Sequence, residues 1–194
     1  ATYTPDANYS GTDSFIFTVS DGLETSEATV TLNISAVNDA PVLATVSDVI
    51  FDEDGSGSTS LSASDVDGDD LTYSISEGTD ITATLTDSDI SFSAPDNFNG
   101  SETFTVSTSD SEFTDSQTIT VTVNAVNDAP VADATSGVTE EDQSIVISLS
   151  GSDVDGDNLS FSVQNASNGS VSLDASFATY TPDANYSGTD SFIF

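Results

Sequence analysis

The sequence predicts an all-β protein built as a tandem of small sandwiches, and three observations carry that prediction. Short segments rich in Val, Ile, Phe and Thr alternate apolar with polar residues, the two-residue period of a half-buried strand, and no helical period is present. Gly, Asp, Asn and Pro cluster between those segments, where turns require them. The third observation is repetition. Residues 1–17 return letter for letter as 178–194, a period of 177, and within it a weaker repeat of 88 or 89 residues links Val-Asn-Asp-Ala-Pro at 37–41 to 126–130. Asp-Val-Asp-Gly-Asp at 65–69 returns in the same way at 153–157. A unit that long is a whole domain, not the turn of a solenoid, so each should hold its own core.

The repeats place residues 1–37 as the C-terminal part of one sandwich, 38–126 as a complete one, and 127–194 as the N-terminal part of the next. Seven strands account for the complete repeat. The first lies within 42–51, the second carries Leu61 and Ala63, and the third carries Leu71, Tyr73 and Ile75. Ile81, Ala83 and Leu85 mark the fourth, Ile90 and Phe92 the fifth, Phe104 and Val106 the sixth. In the seventh, Ile119, Val121 and Val123 alternate with outward threonines. Seven short strands in about 89 residues predict a Greek-key sandwich of immunoglobulin-like type, without the Cys-Trp-Cys core of antibody domains. Counting strands down and up puts the 52–54 turn and the 95–102 connection at one pole. Asp65, Asp67, Asp69 and Asp110 fall at the other.

Composition narrows the function. There is no Lys, Arg or His against 34 Asp plus Glu, a formal net charge of −34. Binding to nucleic acid and docking on anionic lipid both need basic side chains and are excluded as expectations, as is membrane insertion. With 36% hydrophobic residues the chain is not a disordered acidic tail. No cysteine is present for disulfides and no lysine for isopeptide links, which leaves metal as the available staple. Acidity together with Ser, Thr, Asp and Gly enrichment suits a secreted or cell-surface protein. No signal peptide and no apolar run near 18 residues occurs in this stretch, so any export signal or anchor is expected outside it.

If repeats stack end to end, the base of one meets the top of the next across the linker. Asp13, Asn38, Asp39, Asp65, Asp67, Asp69 and Asp110 then gather at the first junction. Glu53, Asp54, Glu102, Asn127, Asp128, Asp153, Asp155 and Asp157 gather at the second. Asp21, Glu141 and Asp142 are the counterparts of Asp110, Glu53 and Asp54 in the flanking repeats and complete the candidate set. So many carboxylates repel one another and raise one another's pKa unless a cation neutralises them. Calcium accepts about six to eight oxygen ligands in flexible geometry, which fits clusters with no nitrogen or sulfur donors. An EF-hand does not fit: the twelfth position from Asp65 or Asp153 is Ser76 or Gln164, and the sixth is Asp70 or Asn158 instead of Gly.

These motifs carry a family resemblance over essentially the whole chain. The Val-Asn-Asp-Ala-Pro linker, the Asp-rich loop 26 residues after Asp39, and Gly-Thr-Asp-Ser-Phe-Ile-Phe-Thr-Val-Ser-Asp-Gly at 11–22 resemble the cadherin-like, immunoglobulin-like tandem repeats of giant bacterial surface adhesins, including the repeats-in-toxin adhesins. The resemblance implies calcium at interdomain junctions that stiffens a stalk. By similarity with cadherins, the ligand roles fall on Asn38 and Asp39, Asp65 and Asp67, Asp110, and Asp13.

The expected function is a calcium-stabilised structural repeat of a secreted fibrous protein or adhesin, a spacer or filament shaft whose partners are identical neighbouring repeats. Surface or glycan ligands would be engaged by regions outside this stretch. The end repeat leaves two architectures open: one giant polypeptide, or subunits that complete one another's sheets by strand donation. A calcium-dependent carbohydrate-binding module is the alternative class, and a halophilic habitat is the alternative source of the acidity. Enzyme activity is not expected, because paired carboxylates alone mark no cleft with a buried acid. Asp6 and Asp183 read as turn formers after Pro, the Asn-x-Ser sites at Asn8, Asn33, Asn99, Asn165 and Asn185 as chance in a Ser-rich chain, and the threonines near 118–122 as a strand's solvent face.

Overall fold

A computed structural model describes residues 1–194, which form strands and turns without a helix. The chain divides into two compact units, Ala1–Ala125 and Val126–Phe194. In the first unit, β1 (Gly11–Ser20) and β2 (Thr25–Ile34) make an antiparallel hairpin whose register runs from Gly11 opposite Ile34 to Ser20 opposite Thr25. The Asp21 carboxylate closes its turn by accepting the backbone N–H groups of Leu23 and Glu24, both at 2.8 Å.

The complete sandwich follows. Its strands are β3 (Val42–Leu43), β4 (Val49–Asp52), β5 (Ser56–Ser60), β6 (Ala63–Ser64), β7 (Thr72–Ile75), β8 (Thr82–Thr86), β9 (Asp89–Ser93), β10 (Gly100–Ser109) and β11 (Thr114–Asn124). One sheet has the order β4-β11-β10-β7, the other β5-β9-β8, and β3 pairs with β6. Alternation in the sequence becomes alternation in burial. Phe104, Val106, Ile119, Val121 and Val123 point inward from the first sheet and meet Ile90 and Phe92 from the second. Phe92 and Phe104 touch edge to face across the layer, with centroids 5.4 Å apart. Each such side chain contributes about 1.5–3 kcal/mol by leaving water.

The expected first strand within 42–51 is two short strands. Val42–Leu43 runs antiparallel to β6, whereas Val49–Asp52 runs parallel to β11. Side chains of β11 satisfy the backbone of the crossing between them. Asp115 accepts the Leu43 N–H at 2.8 Å, Gln117 donates to the Leu43 and Ala44 carbonyls at 3.0 Å each, and Asp48 in return accepts the Thr120 N–H at 2.7 Å. A crossing backbone left without such partners would be costly to bury.

The second unit rebuilds only one of these layers. Its strands are β12 (Val131–Ala132), β13 (Ile145–Ser148), β14 (Gly151–Ser152), β15 (Gly169–Asp174) and β16 (Phe177–Pro182). The orders β13-β16-β15 and β12-β14 repeat β5-β9-β8 and β3-β6. Packing is conserved in volume where the residues differ. A Cβ on Gly57 would lie 2.7 Å from Val49 Cγ1, and a Cβ on Gly137 would lie 2.8 Å from Ile145 Cδ1. The counterparts have exchanged sizes, Val49 over Gly57 in one unit and Gly137 under Ile145 in the other. Residues 137–140, counterpart of β4, form no strand.

Candidate metal centre

The sandwich gathers its acidic side chains at the two ends of β10. At the Ser109 end, the loop between β6 and β7 folds around Asp65, whose Oδ1 accepts the N–H groups of Asp67 at 2.8 Å, Gly68 at 3.1 Å and Asp69 at 3.5 Å. Gly68 sits at φ +81°, a left-handed conformation that closes the loop and that glycine adopts without strain. That arrangement leaves Asp65 Oδ2 buried with no partner. One carboxylate oxygen each from Asp65, Asp67 and Asp69 lies within 4.8 Å of the others.

The linker is tied to this loop. The Asp39 N–H donates to Asp67 Oδ2 at 2.7 Å, and Asn38 Nδ2 donates to Asp110 Oδ2 at 2.8 Å. Asp110, 8% exposed, also closes the β10–β11 turn by accepting the Glu112 and Phe113 N–H groups at 2.7 and 2.6 Å. These donors hold its pKa below the ordinary value, chiefly the Phe113 N–H. Asp69 moves the other way. Desolvation raises its pKa first, and the carboxylates of Asp65, Asp67, Asp110 and Asp70 raise it further. The structure thus gathers the carboxylates of Asp65, Asp67 and Asp69 and ties the linker residues Asn38 and Asp39 to Asp110 and Asp67 through N–H groups.

The Gly100 end is differently organised. Asp54, at φ +61°, accepts the Asn97 N–H at 3.0 Å, and the Glu53 side chain accepts Asn99 Nδ2 at 3.4 Å. Glu102 accepts three backbone N–H groups, from Thr79 at 2.9 Å, Asp80 at 2.7 Å and Ile81 at 3.4 Å. It therefore anchors the start of β8. Asp13 stands at the same position in β1 and accepts the Tyr3 hydroxyl at 2.6 Å, a bond that pushes the Tyr3 pKa up to about 12. The identical pair recurs between Tyr180 and Asp190 at 3.0 Å. The anchoring role of Glu102 and Asp13 was not visible in the sequence, where an acid two residues into a strand after Gly reads equally well as a pole ligand.

In the second unit the linker makes the same attachment, the Asp128 N–H donating to Asp155 Oδ2 at 2.7 Å. Asp153 Oδ1 accepts the Asp157 N–H at 3.1 Å, and Gly156 has φ +79°. Asn127 Nδ2 here donates to the Asp128 carbonyl at 2.7 Å. Glu141 and Asp142 lie in the turn before β13, where Asp142, at φ +63°, accepts the Asn185 N–H at 2.9 Å as Asp54 accepts that of Asn97.

Two facing sheets, antiparallel except where β4 runs beside β11, with the first strand split between β6 and β11, define an immunoglobulin-like sandwich, and the comparisons agree with that class. A family model described as bacterial Ig domain matches residues 1–33, 38–122 and 127–194, so the chain belongs to the bacterial Ig domain family. Among solved structures it is similar to the EC1-2 fragment of human protocadherin-24, at 22% identity over 79% of this chain and 82% of that one, with a TM-score of 0.50. It is also similar to the EC1-4 fragment of PcdhgB3, at 13% identity over 89% of this chain and a TM-score of 0.50, and spans about half, 49%, of that fragment. Both likenesses are of fold. No curated protein matches the chain in sequence.

Proposed function

We propose that the chain is a calcium-stabilised structural repeat of a secreted or cell-surface fibrous protein, in which sandwiches follow one another end to end and act as a spacer or shaft. The observation that carries this reading is the buried, unpartnered Asp65 Oδ2 among the oxygens of Asp67 and Asp69. A buried carboxylate oxygen without a donor is unfavourable, and the chain has no basic side chain to supply one. The raised pKa of Asp69 points the same way, since its ionised form lacks a counter-charge. Calcium, when bound, supplies that charge and a demand for several oxygen ligands.

The chain's own residues do the rest. Asp65 Oδ1 is occupied with backbone N–H groups and shapes the loop, leaving Oδ2 for the ion. Asp67 and Asp110 hold the linker through Asp39 and Asn38, so neutralising the loop also fixes the linker against the sandwich that follows it. Proline at 41 and 130 removes one backbone freedom just beyond. Its partners are neighbouring repeats and its role is mechanical rather than catalytic.

The test is a thermal melt of the 194-residue chain with calcium, magnesium, concentrated sodium chloride or chelator, alongside small-angle scattering. At calcium about one hundred times its dissociation constant the native state gains about 2.7 kcal/mol per site, a rise of roughly 10 °C or more for domains this small. Asp65→Asn with Asp67→Asn should abolish the rise. Equal protection by sodium chloride would reduce the clusters to screened surface charge and sink the reading.

A further inference from the structure

We infer that the complete sandwich pairs sideways with a second copy of itself, β8 against β8 in antiparallel register about a two-fold axis, so that the β5-β9-β8 sheet continues across the contact. Sheet edges present unpaired N–H and C=O groups, and proteins shield those that must stay free. In the sandwich β5 is shielded by the crossing β4: a Cβ on Gly57 would lie 2.6 Å from Phe51 Cδ1 and 2.7 Å from Val49 Cγ1. β4 itself runs from Asp48 into Asp52, Glu53 and Asp54, and β7 follows Asp69 and Asp70. β8 has β9 on one side and no strand on the other, and the stretch 81–86 carries no charge.

The β8–β9 hairpin decides which backbone groups of β8 are open. Thr86 and Asp89 close a two-residue loop, so Thr82, Thr84 and Thr86 aim their N–H and C=O groups at β9, and the alternate residues aim theirs at the edge. Glu102 takes the first of these outward groups, accepting the Ile81 N–H at 3.4 Å. Ala83 and Leu85 keep theirs open, while their side chains pack against the core. In the second unit the same edge is closed. Val171 of β15 stands where Ala83 stands, and its N–H is taken by Asn165 Oδ1 at 3.0 Å, while Asp174 puts a charge in the place of Thr86.

A second copy fits the open edge by symmetry. With the axis at Thr84, Ala83 of one copy exchanges both backbone hydrogen bonds with Leu85 of the other, and the reverse, in an isologous contact. On the solvent face Thr84 meets Thr84 and Thr82 meets Thr86. This seam is uncharged in a chain whose net charge of −34 holds copies apart elsewhere. Only Asp80 of one copy and Asp87 of the other approach, at either end of the seam, so salt should favour the contact. Main-chain bonds at a sheet edge make one seam weak; along the end-to-end repeats proposed above, many act together. The pairing itself does not depend on the calcium reading.

Amide exchange of the 194-residue chain in concentrated sodium chloride reads the register directly. Raising the protein concentration should slow exchange at Ala83 and Leu85 about ten-fold and leave Thr82, Thr84 and Thr86, already bonded to β9, unchanged. The chain has no cysteine, and Thr84 is exposed, so Thr84→Cys adds a single thiol at the axis. Across the seam the two Thr84 Cα atoms lie about 4.5 Å apart, within disulfide reach, whereas the two Thr82 Cα atoms lie about 13 Å apart. Thr84→Cys should therefore form dimers under mild oxidation about ten-fold faster than Thr82→Cys. Thr84→Asp sets like charges face to face and should remove the concentration-dependent protection. Equal oxidation rates, no such protection, or protection that survives Thr84→Asp overturns the proposal. Pairing of β8 with another edge, β7 for instance, would protect Ala83 and Leu85 without the Thr84→Cys preference and overturns it equally.

Discussion

The complete sandwich and the second unit start from the same repeat and end differently buried, and the difference separates what a sheet needs from what a core needs. β13-β16-β15 forms with the order and pairing of β5-β9-β8 without a counterpart of β11 among residues 126–194. Hydrogen bonds and turn residues such as Asn185 and Ala175, at φ +58° and +52° as Asn97 and Asp87 are at +59° and +55°, suffice to set the sheet. Burial does not follow. Where Phe104 is fully buried, its hairpin counterpart Phe15 is only half-buried, and the second unit keeps just Leu149, Ala178 and Pro182 as its buried apolar residues. Local pairing makes the layers; the meeting of two layers makes the stability.

The sharpest way to break that comparison is to remove the same ring from each side. Phe104→Ala should cost the sandwich about 3–5 kcal/mol, because nothing collapses into the space left between Phe92 and the facing sheet. Phe15→Ala in the same chain should cost less than about 1 kcal/mol, because Phe15 is only half-buried. A urea titration followed through resolved amide signals of each unit reads both. Equal costs would mean that the hairpin already has a packed partner.

How far the sequence spoke depends on the same division. The two-residue period located the third to seventh strands, whereas the second, expected at Leu61 and Ala63, is two strands of different sheets, Ser56–Ser60 and Ala63–Ser64, with Leu61 between them. The spacing of Asp65, Asp67 and Asp69 put three acids in one loop, and the structure brings their carboxylates together. The splitting of the first strand was not legible. A two-residue strand such as Val42–Leu43 has no period of its own, and its break from Val49–Asp52 is set by Asp115 and Gln117, more than 70 residues away, which look like solvent-facing positions of β11. The role of Glu102 was hidden for a similar reason, since its partners are backbone groups that carry no letter in the sequence.

Within the acidic pole a second comparison is available, because Asp69 and Asp110 are shifted in opposite directions. Asp69 has a folded pKa above its ordinary 3.8, so its contribution is present below 3.8 and is lost as pH rises through the raised value. Asp110 has a folded pKa below 3.8, so its contribution is present above 3.8 and is lost as pH falls through the lowered value. In chelator the melting temperature should therefore climb as pH falls from neutrality towards the carboxylate range, then drop. Asp69→Asn should raise it at neutral pH and flatten the climb, whereas Asp110→Ala should lower it. With calcium the Asp69→Asn effect should change sign, since the ionised form becomes a ligand. Melts of the two variants with and without calcium check this, and an Asp69→Asn effect of one sign throughout would remove Asp69 from the ion.

The smallest expected difference is none, and it concerns the glycine of each Asp-rich loop. Gly68 and Gly156 have φ of +81° and +79°, and a Cβ added to either meets nothing within 4 Å. The cost of Gly68→Ala or Gly156→Ala is then backbone strain alone, about 1 kcal/mol, and should be the same in both units. That equality is informative because the loops are held differently. Asp65 Oδ1 collects three N–H groups beneath a turn closed by Asp110, while Asp153 Oδ1 holds the Asp157 N–H with no such turn beside it. Equal losses in chelator, read by amide exchange of each loop, would show that the Asp-Val-Asp-Gly-Asp segment shapes itself before the second layer arrives. A larger loss at Gly68 would mean instead that the β10–β11 turn, closed by Asp110, enforces the loop.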